Sequence, residues 1–174
     1  MSRLSTLSPA AVRAMFSPDS NEILITLITI KADPSINIPE DIHVADNYTQ
    51  RLSEDNAEVY YGVISNGIEY PFIPLQITLP NDDHNAAPIC SLTINDVTRV
   101  LLPTMRQITG APEVLITLVL NSSPDTIEVE FVGFKLTNIT YTADSITASL
   151  TMPSLEVEPF PAHAFTPAYF PGLF

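Results

Sequence analysis

Apolar and polar residues alternate along much of this 174-residue chain, and this pattern constrains its fold more than any other feature. Successive side chains of a β-strand point to opposite faces, so strict alternation indicates a strand with one buried face. In segment 145–152, the clearest case, serine or threonine separates four apolar residues: Ile146, Ala148, Leu150 and Met152. The same alternation occurs in three further segments: 73–79, 90–94 and 127–131. The sequence therefore predicts a mainly β fold.

Two runs rich in β-branched residues, 23–30 and 114–120, are apolar on both faces. We expect them to be central strands, because an exposed run of this kind would pair with other chains. The dipeptide Asn66-Gly67 predicts a tight hairpin, since both residues accept a positive φ. At Gly133 the apolar positions change from odd to even numbers, which predicts either a β-bulge or a bend between two sheets.

Helix is predicted in two short segments. Ser8 followed by Pro9 is typical of a helix cap and first position, and this helix would run to Phe16. Asp96 could cap a second helix. Pro103 predicts a break in it, because proline has no amide hydrogen to donate, and the helix would restart there.

The character of the sequence changes at residue 156. Residues 1–155 are expected to form one domain, an antiparallel β-sandwich with one or two short helices. Residues 156–174 contain four prolines, five aromatic residues and no alternation, which predicts an extended arm that docks on apolar surface. That surface belongs either to the arm's own sandwich or to a neighbouring subunit or other neighbouring protein. The residues predicted to make the contact are the large apolar ones: Phe160, Phe165, Tyr169, Phe170, Leu173 and Phe174.

The chain carries 20 acidic and 7 basic residues, a net charge of −13, with no run of basic side chains. Specific nucleic-acid binding is therefore not expected, because a phosphate-binding groove needs clustered lysine and arginine.

Cys90 is the only cysteine, which excludes an intrachain disulfide and favours a reducing compartment of origin. Residues 1–16 do not resemble a signal peptide, and every apolar run is too short for a membrane helix. A soluble protein is expected.

Two groups of residues with metal-binding or acid–base side chains do not have the spacing of a known site. Asp82, Asp83 and His84 could bind a metal, but their spacing fits no common zinc or calcium pattern, so an acidic loop is expected. His43 and His163 have no carboxylate or cysteine partner nearby in sequence and are expected at the surface or in an interface. We predict no catalytic residue, no metal and no cofactor.

The remaining candidates favour structural roles as well. Cys90 takes an inward strand position, where a thiol acts as a small apolar group with a high pKa. Glu128 and Glu130 alternate with apolar residues, which favours a solvated outer face over paired catalytic carboxylates. Four aromatic residues could stack on a sugar or form cross-strand pairs in a hairpin: Tyr60, Tyr61, Tyr70 and Phe72.

Four segments, 70–80, 91–97, 159–161 and 165–174, resemble a family of small minor tail proteins of long, non-contractile-tailed phages and prophages. Their sequences are YPFIPLQITLP, SLTINDV, PFP and FTPAYFPGLF, in the same order as in the family. The terminus rich in proline and aromatic residues is the most specific of the four. The loop over 33–47 departs from the family pattern. The family is described mostly as a domain of unknown function and resembles the distal tail proteins.

The resemblance implies a virion protein of the tail tip, made in the host bacterial cytoplasm. It implies a β-sandwich that forms a closed homo-oligomeric ring between the tail tube protein and the tail hub protein, near the tape measure. A six-fold ring would match the tube, and a three-fold ring would match the hub. The family carries over no catalytic residues. A second hypothesis is a β-sandwich module that binds a host-surface carbohydrate, and an enzyme is the weakest of the three hypotheses.

Overall fold

The computed structural model describes residues 7–55, 58–79, 89–95, 101–142 and 145–152. Strands hold 58% of the described residues and helical segments 11%, which confirms the predicted mainly β fold with little helix. The helical segments are α1 (Pro9–Phe16), a 3₁₀ turn (Pro34–Ile36) and α2 (Leu102–Arg106). The strands are β1 (Leu24–Ile30), β2 (Ile42–Ala45), β3 (Gln50–Asp55), β4 (Glu58–Ser65), β5 (Ile68–Pro71), β6 (Leu75–Thr78), β7 (Ile89–Ile94), β8 (Glu113–Leu120), β9 (Ser123–Tyr141) and β10 (Ile146–Thr151).

These strands form two antiparallel sheets, as the alternation predicts. The large sheet has the order β2-β1-β8-β9-β10-β7-β6, and the small sheet has the order β3-β4-β5. The two apolar runs, β1 and β8, lie inside the large sheet and pair with each other from Leu24 opposite Leu120 to Ile30 opposite Val114. Their other neighbours, β2 and β9, leave neither run at a sheet edge. The predicted central position of both runs is therefore confirmed.

The main core lies on one face of the large sheet. Ile28 and Ile30 of β1 and Ile116 of β8 are wholly buried in it, and Phe134 of β9 is its largest wholly buried side chain. The predicted inward residues of β7 and β10 join the same core, which confirms the alternation in those strands: Cys90, Leu92, Ile94, Ile146, Ala148 and Leu150. This face therefore buries side chains from six of the seven strands of the sheet, β1, β2, β7, β8, β9 and β10.

A small core lies on the opposite face of β1, between the two sheets. Ile25 and Leu27 of β1 are buried there together with Val63 of β4 and Tyr70 of β5. Side chains one position apart in a strand point to opposite faces. Strand β1 is apolar on both faces because each face belongs to a different core.

The short local signals in the sequence are confirmed. The Ser8 side chain caps α1 by accepting a hydrogen bond of 3.1 Å from the Ala11 amide. The hairpin between β4 and β5 turns at Asn66 and Gly67, with φ of 51° and 80°. Helix α2 begins one residue before Pro103, as expected for a helix that starts at a proline, which needs no amide partner there. The segment before it, 96–100, lies outside the described residues, so the predicted break stays a prediction.

Strand β9 has four register shifts against its neighbours, and three of them insert a single extra residue, as a β-bulge does. One lies beside Gly133, with φ of 80°, where the sequence predicts it, and a second lies at Asn138, with φ of 52°. The third places Glu128 as an extra residue opposite β8. Each extra residue exchanges the two faces of the strand, so the alternation of β9 cannot be extended from one segment to the next.

The sequence does not predict β2 and β3. Strand β2 lies within 33–47, where the sequence predicts only a loop, and it is a strand because it pairs with the end of β1. Strand β3 has a single apolar residue, Leu52, so its sequence shows no alternation, and it is a strand because it pairs with β4. The strand predicted over 73–79 is shorter, since only β6 pairs regularly with β7.

Candidate functional site

Several predicted features lie outside the described residues and stay predictions. They are the docking residues of the arm (Phe160, Phe165, Tyr169, Phe170, Leu173 and Phe174), the acidic loop residues Asp82, Asp83 and His84, the second histidine His163, and the helix cap Asp96. The candidate surfaces are therefore sought in the rest of the chain.

Cys90 is wholly buried in the main core on β7. Burial raises the pKa of its thiol to about 11, so the thiol stays protonated at neutral pH. The reactive form of cysteine is the thiolate, and a buried thiol is a poor nucleophile. The predicted role of Cys90 as a small apolar side chain is confirmed.

His43 is half-buried between the two sheets and does not lie on the open surface. Its Nδ1 lies 3.2 Å from the Thr29 hydroxyl, and that hydroxyl lies 3.2 Å from the Tyr70 hydroxyl. The imidazole also packs edge-on against the Tyr70 ring, with centroids 4.9 Å apart. Burial lowers the pKa of His43, although the Asp41 carboxylate opposes this shift. The cluster links β1, β2 and β5, so these contacts favour a structural role for His43.

An aromatic patch, Tyr48, Tyr61 and Phe72, extends the small core to the surface. The Tyr48 ring lies 5.3 Å from both the Tyr61 ring and the Phe72 ring, between centroids. Tyr48 is 52% exposed and Tyr61 is 47% exposed. Tyr61 and Phe72 are two of the aromatic residues that the sequence singles out, whereas nothing in the sequence singles out Tyr48. It enters the patch from the turn between β2 and β3. Of the other two aromatic residues named, Tyr70 is buried in the small core, and Tyr60 alternates with Tyr61 and points to the opposite face of β4.

A helix patch, Met15 and Leu24, lies at the end of α1 and the start of β1, where both side chains line one pocket. Met15 is 64% exposed, and half of Leu24 is exposed. Phe16, which is 76% exposed, lies outside this patch and lines a second pocket with Pro9, Val12 and Arg13. The sequence predicts the helix but not this exposure, because the partner surface of a short amphipathic helix cannot be read from its own residues. Large apolar side chains clustered at the surface are typical of interaction sites.

Glu128 corrects one sequence prediction. The alternation places it on a solvated outer face, yet its side chain is only 4% exposed, whereas the neighbouring Ile127 is exposed. The bulge at this residue exchanges the two faces of β9. Its Oε2 accepts a hydrogen bond of 2.7 Å from the Ser8 amide, which ties the start of α1 to the large sheet. Glu130 is exposed, as predicted.

Glu128 also lines a pocket of about 280 Å³ beneath α1. The pocket wall is mostly apolar and includes Ala11 of α1, Leu24 of β1 and Leu120 of β8. Glu22 is the second carboxylate in the wall. One buried oxygen of each carboxylate, Oε1 of Glu128 and Oε2 of Glu22, has no hydrogen-bond partner in the described part of the chain.

Other kinds of site are not formed by the described residues. Within these residues, no three histidine, cysteine, aspartate or glutamate side chains lie close enough together to hold a metal ion. Among the same residues, no helix has the length and apolar character needed to cross a membrane.

No protein-family model matches the sequence, and no curated protein sequence matches it significantly. Function is therefore inferred from the chain's own motifs and surfaces.

Proposed function

We propose that this protein is a structural component of a phage tail tip, where its copies form a closed ring that joins the tail tube to the tail hub. The four segments that resemble small minor tail proteins support this proposal. The antiparallel β fold agrees with what the resemblance implies about the architecture. In this proposal the protein is not an enzyme.

The observation that carries the proposal is the presence of two unlike apolar patches on opposite sides of the large sheet. Leu24 of the helix patch shares a face of β1 with Ile28 in the main core. Tyr61 of the aromatic patch shares a face of β4 with Val63 in the small core. The small core lies on the opposite face of the large sheet from the main core. A head-to-tail ring needs two different surfaces that fit each other on neighbouring copies. In the proposed ring, the helix patch of one copy contacts the aromatic patch of the next.

The charge of the chain suits a ring around a DNA passage. A net charge of −13 with only 7 basic residues repels phosphate, so DNA would pass through the ring without binding it. The same charge keeps separate copies apart until apolar contacts form. Apolar contact, and not surface ion pairing, is therefore the proposed source of ring stability.

Mixing variants of the two patches tests the head-to-tail contact. Met15→Ser alters the helix patch and Tyr61→Ser alters the aromatic patch, and each variant alone is expected to be monomeric by native mass measurement. An equimolar mixture is expected to give dimers, because each variant keeps one intact patch that fits the intact patch of the other. A symmetric contact between identical patches would give no such rescue.

Val132→Ser is the matched control, since Val132 is an exposed apolar residue of β9 that belongs to neither patch. This variant should assemble like the unaltered chain. Assembly of both patch variants like the unaltered chain would contradict the proposed contact. A tail-tip reconstruction with a single copy away from the tail axis would contradict the ring itself.

The predicted arm provides a separate test of assembly. Deletion of 165–174 should leave a folded protein that no longer enters tails, because the aromatic residues of the arm are proposed to dock on a neighbouring protein. Circular dichroism checks the fold and tail incorporation checks the function. An unfolded product would assign the arm to its own sandwich, and infectious tails built with the truncated protein would contradict the docking role.

The aromatic patch favours one alternative function, binding of a host-surface carbohydrate. Two partly exposed tyrosine rings next to Phe72 could stack on a sugar ring. A sugar-binding module would be monomeric by native mass and would lose glycan binding on Tyr48→Ala. A ring component would self-associate or co-purify with tail proteins and would bind no glycan.

A further inference from the structure

The pocket beneath α1 combines an apolar wall with two incompletely bonded carboxylates. Only 4% of Glu128 is exposed, so the residue is 96% buried. Its Oε2 already accepts a hydrogen bond from the Ser8 amide. Its Oε1 is buried and has no partner among the described residues, and the same is true of Oε2 of Glu22. A buried carboxylate oxygen without a donor is costly, because it has lost its water and gained no hydrogen bond.

The pocket is open to solvent on the side of the helix patch. Met15 and Leu24 line the pocket, and both are at least half exposed. A side chain from another protein that contacts the helix patch would therefore reach the two carboxylates through this opening.

We propose that this pocket binds the side chain of a lysine or arginine from a partner protein. The aliphatic stem of such a side chain packs on apolar residues such as Leu24 and Leu120, while its charged end donates to the carboxylates. Hydrogen bonds between a cation and a carboxylate are about twice as strong as neutral ones. The net charge of −13 also attracts a basic partner. This inference rests on the pocket and holds whichever assembly the protein joins.

A bare metal ion fits the pocket less well. Calcium takes six to eight oxygen ligands and magnesium demands octahedral oxygen geometry. The described wall supplies two carboxylates, and its remaining described side chains are apolar. An apolar wall instead suits a ligand that carries a hydrocarbon stem together with its positive charge.

Binding of amino-acid derivatives to the full chain tests the proposal. The probes are Nα-acetyl-lysine N-methylamide, the arginine equivalent, and the norleucine equivalent as an uncharged probe of similar shape. Methyl NMR shifts of Ala11, Leu24 and Leu120 report on the pocket. The two cationic probes should give saturable shifts there, and the norleucine probe should bind at least about tenfold more weakly, since a hydrogen bond to a charged group contributes roughly that much.

Charge-removing variants locate the interaction. Glu128→Gln keeps an oxygen that accepts the Ser8 amide, so the helix remains tied to the sheet while the charge is lost. Glu128→Gln and Glu22→Gln should each weaken binding of the lysine probe about tenfold. Glu130→Gln, on the same strand but exposed and outside the pocket wall, should leave binding unchanged. Should Glu128→Gln fail to fold, Glu22→Gln still decides the question.

Three outcomes would overturn the proposal. The first is the absence of saturable pocket shifts with either cationic probe. The second is equal binding of the norleucine probe. The third is that an Arg3→Ala variant binds the cationic probes while the unaltered chain does not. That result would mean that the chain's own Arg3 side chain occupies the pocket.

Discussion

Strand β1 contributes to two cores that differ in composition and enclosure. On one face, Ile28 and Ile30 belong to the main core, which is covered by other strands and by α2 and contains only apolar buried side chains. On the other face, Leu27 belongs to the small core, where the Thr29 hydroxyl lies within hydrogen-bond distance of Tyr70. The small core also continues into the partly exposed aromatic patch.

This difference predicts that the two cores contribute unequally to stability. The main core buries far more apolar side chains, and burial of such a side chain contributes roughly 1.5–3 kcal/mol. The small core buries fewer and ends in exposed rings, so its effect is mainly to hold the small sheet in place. We therefore expect changes in the main core to unfold the protein and changes in the small core to affect the aromatic patch.

The largest effects are expected from the same substitution made in each core. Leu136→Ala in the main core and Leu27→Ala in the small core should each cost about 2–5 kcal/mol of unfolding free energy. The loss should be greater at Leu136, because the enclosed core cannot close around a cavity, whereas the small sheet can move toward β1. Urea denaturation measures the unfolding free energy of both variants. The exposed control Val132→Ala should have an unfolding free energy within about 0.5 kcal/mol of the unaltered chain. An equal or larger loss at Leu27 would contradict the comparison.

A substitution inside the small sheet should have an intermediate effect. In Gly62→Ala the new methyl group would collide with the Tyr70 carbonyl oxygen and with the Leu52 side chain. Overpacking of this kind costs about 1–3 kcal/mol. Amide hydrogen exchange should show the loss of protection in β4 and β5, with β1 and β8 still protected. The control is Gly67→Asn, where no atom lies near the new side chain and asparagine tolerates the positive φ. If Gly62→Ala were as stable as the unaltered chain, β4 and β5 would be able to move apart at no cost.

Removal of one hydroxyl group should weaken the link between the sheets. Tyr70→Phe removes the contact with Thr29 while keeping the buried ring, so the unfolding free energy should fall by about 0.5–1.5 kcal/mol. A double-mutant cycle with Thr29→Val isolates this contact from other effects. Tyr48→Phe, in the exposed part of the patch, serves as the control and should leave stability unchanged. Additive losses in the cycle would mean that the two hydroxyls do not interact.

The smallest expected effect is a pH dependence from His43. Burial lowers its pKa in the folded protein below that of the unfolded chain, which is about 6.5. Between these two values the unfolded chain binds more protons, so stability falls as the pH decreases from about 7 through 6.5 toward the folded-state pKa. Below the folded-state pKa this loss is complete.

The matched variant His43→Gln removes this titration and leaves the other ionisable groups in place. Unfolding is measured at pH 7.5 and at lower pH values for both proteins. The advantage of the unaltered chain over the variant should shrink on acidification. A constant difference between the two proteins would mean that His43 has the same pKa in both states.

Local residues determined much of this fold by themselves. Ser8 and the proline after it place the start of α1, because a side-chain acceptor and a fixed φ suit that position. The Asn66-Gly67 turn and the bulge at Gly133 follow from the positive φ that these residues accept. Alternation placed Cys90 in the main core. Each of these features depends on a few neighbouring residues, and so the sequence alone predicts it.

Only the tertiary structure decided where the candidate sites lie. Glu128 is buried because a bulge exchanges the two faces of β9 and because α1 packs over that position. Tyr48 joins Tyr61 and Phe72 because the pairing of the sheets brings a turn beside them. Strand β2 exists because it pairs with β1. These arrangements depend on contacts between residues far apart in the chain, and the periodicity of a single segment carries no information about its partner.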